Sequence, residues 1–391
     1  MVHKKAALFI AVLLIAGFAY GFELEISGEI RSGIMWDYYQ QWDFSEGAWE
    51  EERVSLARIH INDGSSDFQG LFRMNMNISH GNVGAMIRFE QTHFASGGFP
   101  HWAHAFGYGT FFEDAVRVSV GQLGLSPWGR VRIGPRQIEN AIDHYFGIRT
   151  EISPFAVPGL TFGFVLNSWD QRFDAVDDQR SLGDMLMESV IGVTFTNDFF
   201  YGRLAWRLDG QADGIPEMDI DLGRMVFFQE GHQMMYHLEA RRIPHVPDFS
   251  LWATGWFRGI VGAERDYFRV FQNWLYAEFT PEAFRATLGL GLETRGNSNN
   301  FFTASAGFHY NVLPFLRVGS NFIYTVNFGE NRMERDVPFY FISIEPEIRV
   351  NISPAVFFAL VYGYFNGHVL ENEALHLRRG HWVNLRAVIT F

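Results

Sequence analysis

Between Phe315 and Phe328 the chain alternates with a period of two. Leu316, Val318, Ser320, Phe322, Tyr324, Val326 and Phe328 hold the even positions, and Arg317, Gly319, Asn321, Ile323, Thr325 and Asn327 the odd ones. Successive side chains on a β-strand point to opposite faces, so this run predicts a strand with one apolar and one polar face. Phe284 to Glu293 and Phe301 to Asn311 repeat the pattern, and so do the last eleven residues, HWVNLRAVITF. There His381, Val383, Leu385, Ala387, Ile389 and Phe391 form the apolar set, against Trp382, Asn384, Arg386, Val388 and Thr390. After Gly21 no segment offers the roughly 18 consecutive apolar residues of a membrane helix, and helical periodicity is scarce. The chain is restricted to sheets.

The connectors fall into two classes. Thr280-Pro281-Glu282, Leu313-Pro314-Phe315, Ile352-Ser353-Pro354, Thr196-Asn197-Asp198 and Phe112-Glu113-Asp114 read as tight turns. Longer polar stretches lie between them, at 169–186, 209–230, 328–337 and 367–380. Short turns at one end and long loops at the other mark an antiparallel meander of the transmembrane-barrel kind. Working back from Phe391, strands are predicted near 381–391, 355–366, 338–350, 315–328, 301–311, 284–294, 267–279, 249–261 and 231–241. The rest lie near 199–208, 187–197, 159–168, 144–153, 116–123, 102–111, 83–94, 68–79 and 22–38. Arg53 to Ile61 reads as a further strand, which either extends the second one outward or shifts the count to 16 by a merger elsewhere. The expected fold is all-β, a transmembrane antiparallel β-barrel of 16–18 strands, with 18 the best count.

A soluble sandwich or solenoid would also alternate, because its apolar faces pack inward. Three features favour lipid. No linker or composition break divides the 391 residues into the domains that so many strands would otherwise form. Aromatics make up 17%, with 40 Phe, and they gather at strand ends as an interfacial girdle requires. Mean hydropathy is only -0.04 in a strand-rich chain, as when half of each strand faces water. Residues 1–21 read as a cleaved signal peptide, with Lys4 and Lys5 before the apolar run Ala6 to Ala16 and small residues at Ala19-Tyr20-Gly21. An uncleaved anchor is the other reading. The domain expected after cleavage is 22–391, exported to the outer membrane.

The 31 Lys and Arg residues include only two lysines, Lys4 and Lys5, so 29 are arginines, set against 44 acids. A net charge of -13 without a basic cluster argues against nucleic acid as a partner. The absence of cysteine excludes disulfides and thiolate chemistry.

A final amphipathic strand ending in Phe391 resembles the assembly signal of Gram-negative-type outer-membrane proteins, which the barrel-assembly machinery reads. With FELEISGEIRSGIMWDYYQ as an alternating first strand, the chain from residue 22 onward resembles a porin, and its flavour is similar to the porin-like proteins of spirochaetes. The resemblance implies a water-filled lumen passing small hydrophilic solutes and ions, no cofactor and a homotrimer. It also implies a third outer loop folded into the lumen. In the count above this is Gly124 to Asp143, where Arg130, Arg132 and Arg136 lie near Glu139 and Asp143. Opposed charges across a constriction would create a transverse field that orients dipolar solutes. A surface loop or a further pair of strands is the alternative there.

An arginine on the lipid face costs about 2–4 kcal/mol near the midplane, so most strand arginines must point inward. Arg285, Arg317, Arg349 and Arg386, with Glu293 as an acidic partner, are the lumen-facing candidates; Arg31, Arg73, Arg88, Arg117, Arg203 and Arg207 share their parity pattern. They would make a charge-balanced wall or a dedicated anion ladder. Trp36, Trp42, Trp49, Trp102 and Trp128, at or beyond strand ends, suit an interfacial belt or a sugar-stacking track.

Nothing points to an enzyme. The adjacent pair Asp143-His144 would face opposite ways on a strand, no G-x-S-x-G elbow occurs, and His101 with His104 lacks further metal ligands. The expected function is a general outer-membrane porin. Its rivals are a sugar- or organic-acid-selective channel and a surface adhesin on a barrel scaffold.

Overall fold

The computed structural model describes residues 22–43, 47–54, 58–60, 71–91, 101–123, 131–133, 137–139, 146–169, 186, 189–208, 217–219, 224–226, 231–243, 245–261, 269–295, 299–327, 340–371 and 374–391. The wall begins with β1 (Glu23–Asp43). Three segments, β2 (Ala48–Val54), β3 (Arg58–His60) and β4 (Leu71–His80), then descend antiparallel along it in succession. They share one position in the wall, so the strand signal at 53–61 extends the second strand and adds none.

Next come β5 (Val83–Gln91), β6 (His101–Phe111) and β7 (Val116–Gln122), then a hairpin off the wall made of β8 (Val131–Ile133) and β9 (Gln137–Glu139). The wall resumes with β10 (Phe146–Ile152), β11 (Leu160–Trp169), β12 (Val190–Thr196) and β13 (Phe200–Arg207). A second separate hairpin, β14 (Glu217–Asp219) and β15 (Arg224–Val226), precedes β16 (Gln233–Ala240), β17 (Phe249–Arg258), β18 (Val270–Phe279) and β19 (Phe284–Arg295). The last wall strands are β20 (Asn299–Leu313), β21 (Leu316–Asn327), β22 (Tyr340–Ser353), β23 (Val356–Glu371) and β24 (Ala374–Thr390). Each pairs antiparallel with its neighbour, and β24 returns to β1, with Thr390 to Arg378 opposite Glu29 to Gln41. The result is a closed barrel of 18 wall positions. Closure leaves no sheet edge, the condition for strands to lie in lipid.

On a closed cylinder, outward side chains splay apart and inward ones converge, so exposure tells the faces apart. One parity carries the exposed apolar residues: Leu275, Leu288, Leu290, Phe308, Phe322, Ile348, Phe358, Leu360, Leu385 and Ile389. The opposite parity holds Arg317, Asn321, Glu345, Glu347, Arg349, Asn384 and Arg386, in register across β21, β22, β23 and β24. Apolar outside and polar inside is the arrangement expected from the sequence pattern. Pro346 sits in the middle of β22, where its missing N–H coincides with a gap in the β22–β23 ladder between Ile344 and Glu347.

Connections at the short-turn rim run from two to eight residues. In the tightest, His80 and Val83 flank Gly81-Asn82, and the positive φ of Gly81 (56°) suits the first central position of a type II′ turn. At the other rim, up to 25 residues (208–232) separate wall strands. One expected loop is corrected: most of 367–380 is strand, because β23 and β24 continue to Glu371 and Ala374 and leave only 372–373 between them. Their outer ends pair from His368 opposite Leu377 to Glu371 opposite Ala374, and the glycines and charged residues of this stretch give it the composition of a loop. Wall height is uneven in consequence. β1, β23 and β24 have 21, 16 and 17 residues, whereas β7, β10 and β12 have 7 each.

Candidate pore lining

The inner wall divides into sectors with different chemistry. Across β19 to β22, cations and acids interleave. Arg285 donates to Glu278 at 2.8 Å and Arg317 to Glu347 at 2.7 Å, while Arg349 donates to Asn351 and lies 3.5 Å over the Phe357 ring. Arg386 faces inward on β24, 6.0 Å from the Trp382 ring, and Glu293 faces inward opposite Gln272 and Phe301. Arg285, Arg317, Arg349, Arg386 and Glu293 all have the strand parity opposite the exposed apolar residues. Ion pairs in a solvated lumen contribute little to stability, about 0–1 kcal/mol each, so their weight lies in the field they present to a passing solute.

A second sector is more basic. Arg117 and Arg149 face inward from β7 and β10, and Arg203 and Arg207 from β13. Arg117 lies 4.1 Å over the Tyr108 ring, and Arg149 is 3.4 Å from Glu151. Between these strands the inner positions of β11 and β12 are small or uncharged: Thr161, Gly163 and Val165 opposite Thr194, Gly192 and Val190. Four arginines thus border a floor of small side chains, with Arg149 and Arg207 themselves buried in the wall. The Arg149–Glu151 pair escaped the sequence reading, although both residues share the parity of Arg117 across the β7–β10 register.

The outer half of this sector is covered. Val165, Val190, Ala205 and Met235 face inward yet are 0% exposed, and they pack with Phe106, Leu123, Trp256 and Val270 into one apolar cluster. The hairpin β8–β9, between β7 and β10 in sequence, brings β8 against β16, β17 and β18. Those strands lie four or more wall positions farther round, so the segment leaves its own stretch of wall to reach them. Val131 and Arg132 pair with Glu139 and Ile138 in this hairpin. Arg132 and Glu139 are therefore brought onto neighbouring strands, while Arg130, Arg136 and Asp143 lie outside the described residues, as does His144. His101 and His104 are placed on β6.

Phe391 follows β24 on the outer face. Its amide donates to the carbonyl of Gly28 at 3.0 Å and its carbonyl accepts from the Gly28 amide at 2.7 Å. Gly28 carries no side chain where the Phe391 ring lies, and a Cβ there would come within 2.6 Å of the Arg73 carbonyl oxygen. The terminal aromatic is thus the last stitch of the barrel seam. Among the tryptophans, Trp36 faces outward, as a belt residue does, and Trp42 meets Trp49 edge to face at 5.3 Å on the β1–β2 extension. Trp128 lies outside the described residues. Among the described residues, Trp252, Trp256, Trp274 and Trp382 face inward from within strands; their parity opposite Leu251, Leu275 and Leu385 is the signal that marks them.

No protein-family model matches the chain, and no curated protein matches its sequence. Solved structures do match in shape. OmpT, an outer membrane protein of Vibrio cholerae, aligns with a TM-score of 0.50 at 10% identity, over 95% of this chain and 98% of that one. OpdQ of Pseudomonas aeruginosa aligns with a TM-score of 0.50 at 9% identity, over 93% and 98% of the two chains. The likeness is one of fold: this chain is built on the same closed antiparallel barrel as these proteins.

Proposed function

We propose that the chain is an outer-membrane porin, through which small hydrophilic solutes and ions diffuse down their gradients. The observation that carries this reading is the two-faced wall, an apolar exterior for lipid around an interior lined by arginines and carboxylates in register. In this reading residues 1–21 are removed on export, and the strand ending at Phe391 is what the barrel-assembly machinery recognises. Segment 124–143, including β8–β9, narrows the passage from within. Arg130, Arg132 and Arg136 opposite Glu139 and Asp143 supply a field across the narrowest part, without cofactor or catalytic step. The protein assembles as a homotrimer in outer-membrane lipid.

Selectivity follows from the inner charges rather than the net charge of -13. Arg117, Arg149, Arg203 and Arg207 attract anions on one side, while the Arg285–Glu278 and Arg317–Glu347 pairs on the other are close to neutral. The test is single-channel recording from the purified, refolded full-length barrel in planar lipid bilayers. Discrete conductance steps, growing with salt concentration, are expected. Folded barrel that inserts without passing current would overturn the reading and favour an adhesin.

A further inference from the structure

Arg379 on β24 departs from the rule that arginine faces the lumen. Every other arginine on the described wall strands takes the inward parity, whereas Arg379 shares the outward face of His381, Leu385 and Ile389. Its depth explains why it is tolerated there. Phe391 marks the lower edge of the apolar band, and one register row carries Tyr38, His381 and Tyr364 at the upper edge. His381 stacks on Tyr38 at 5.2 Å and on Tyr362 at 6.2 Å. The two edges lie about ten residues apart along β24, or about 26 Å on a strand tilted by about 40°. An apolar band is about 25 Å tall, so the two rows fit its borders. Arg379 follows two residues beyond His381, about 5 Å outside the band, at the level of lipid headgroups.

The side chains around it are arranged as donors. Asn366, Arg379 and Gln40 stand side by side in one register row across β23, β24 and β1. Arg379 Nε donates to Gln40 Oε1 at 2.9 Å, and the guanidinium lies 4.2 Å from the Trp49 ring centroid. On the other flank the Tyr340 hydroxyl donates to Asn366 Oδ1 at 3.3 Å. Both amide oxygens are thereby engaged. What the row presents to a ligand is the two amide nitrogens and the terminal nitrogens of Arg379. A line of donors around one fixed positive charge matches an oxyanion, whereas a hydroxyl group would need acceptors as well. The acid in the same row, Glu51 on β2, is two strands from Arg379, about 10 Å, with Gln40 between them.

We infer that Asn366, Arg379 and Gln40 form a subsite on the barrel exterior for the phosphate of a lipid headgroup in the loop-side leaflet. Arg379 supplies the charge-assisted contact, held in place by Gln40 and Trp49, and the two amides close on the phosphate from either side. The acyl chains run down the apolar exterior past Tyr362, Leu385 and Trp36, all of them exposed, a surface that a free phosphate ion cannot use. The subsite goes beyond the porin reading, since it requires the barrel to sit in lipid and does not require it to conduct.

The experiment measures lipid retained by the purified full-length barrel in detergent, using native mass spectrometry. The probes are dioleoyl phosphatidylglycerol and a galactosyl diacylglycerol with the same chains and no phosphate. Wild type is expected to retain the phosphate-bearing lipid and release the galactolipid. Arg379→Gln should lower that retention about tenfold, the scale of losing one charge-assisted contact. Asn366→Leu keeps the Arg379 contacts and should lower it about threefold. Arg378→Gln removes the same charge from the inward-facing neighbour and should leave it unchanged. Equal retention of the galactolipid, full retention in Arg379→Gln, or an equal loss in Arg378→Gln would each overturn the inference. So would displacement of the lipid by millimolar inorganic phosphate, which would make this a site for soluble anions. A barrel that retains the lipid in this way but passes no current would refute the porin reading and leave the subsite standing.

Discussion

An arginine placed on either side of the same wall gives the sharpest test of which side meets lipid. Leu290 points outward from β19, 43% exposed, with Leu275 and Ala304 beside it in register. The strand tilts by about 40°, so each residue climbs about 2.6 Å along the membrane normal. Leu290 is then about 10 Å above the Phe308 level and about 16 Å above the Tyr310 level, where exposed aromatics mark the short-turn interface. In an apolar band about 25 Å tall, that is close to the midplane.

Leu290→Arg should therefore cost about 2–4 kcal/mol, which lowers the folding equilibrium constant by about 30- to 900-fold. Thr303→Arg, at the inward position next to Ala304, meets solvent instead. It gives up a hydroxyl contact with Thr325 at 2.9 Å, a loss of about 1 kcal/mol. Urea unfolding of both variants in lipid vesicles, followed by tryptophan fluorescence, measures the difference. Equal losses for the two variants, or a larger one for Thr303→Arg, would refute the assignment of faces.

Three further outcomes are expected. Eighteen strands about 4.8 Å apart, tilted about 40°, give a backbone radius of about 18 Å, and a hairpin about 10 Å wide laid across such a lumen shadows about half its open area. Deleting residues 129–140 should accordingly about double the single-channel conductance, and an unchanged value would place the segment outside the passage. Arg117→Gln with Arg149→Gln leaves Glu151 unmatched on the inner wall, so the reversal potential in a salt gradient should move toward cation selectivity. Gly28→Val forces a side chain against the Arg73 carbonyl oxygen and the Phe391 ring, and overpacking of this kind costs about 1–3 kcal/mol. The heat needed to unfold the barrel in detergent should fall, whereas Gly107→Ala, whose nearest neighbour would be 3.8 Å away, should change nothing.

The alternation made most of the wall legible. Leu316 to Val326 against Arg317 to Asn327 became the two faces of β21 without exception, because lipid and water sort side chains at every second residue whatever the tertiary context. Segment 367–380 was misread because its Gly, Asn, Glu and Arg residues have the composition of a loop, while the turn itself takes only 372–373. The wall cations Arg285, Arg317, Arg349 and Arg386 could be placed by parity alone. Their partners could be less well foreseen. Arg285 meets Glu278 across a hairpin and Arg317 meets Glu347 thirty residues away, and such pairs depend on strand register, which the turns decide. The donor row of Asn366, Arg379 and Gln40 depends in addition on the closure of the barrel, a relation that exists only once β24 and β1 are aligned.

The seam between β1 and β24 imposes an order on assembly. The residues that satisfy the backbone of β1 on that side run from Thr390 back to Arg378, on the strand farthest from it along the barrel order. Until that pair forms, the sheet holds two raw strand margins that neither lipid nor a soluble core can satisfy. Closure must therefore wait until two segments so distant in sequence meet, the slowest kind of contact to form.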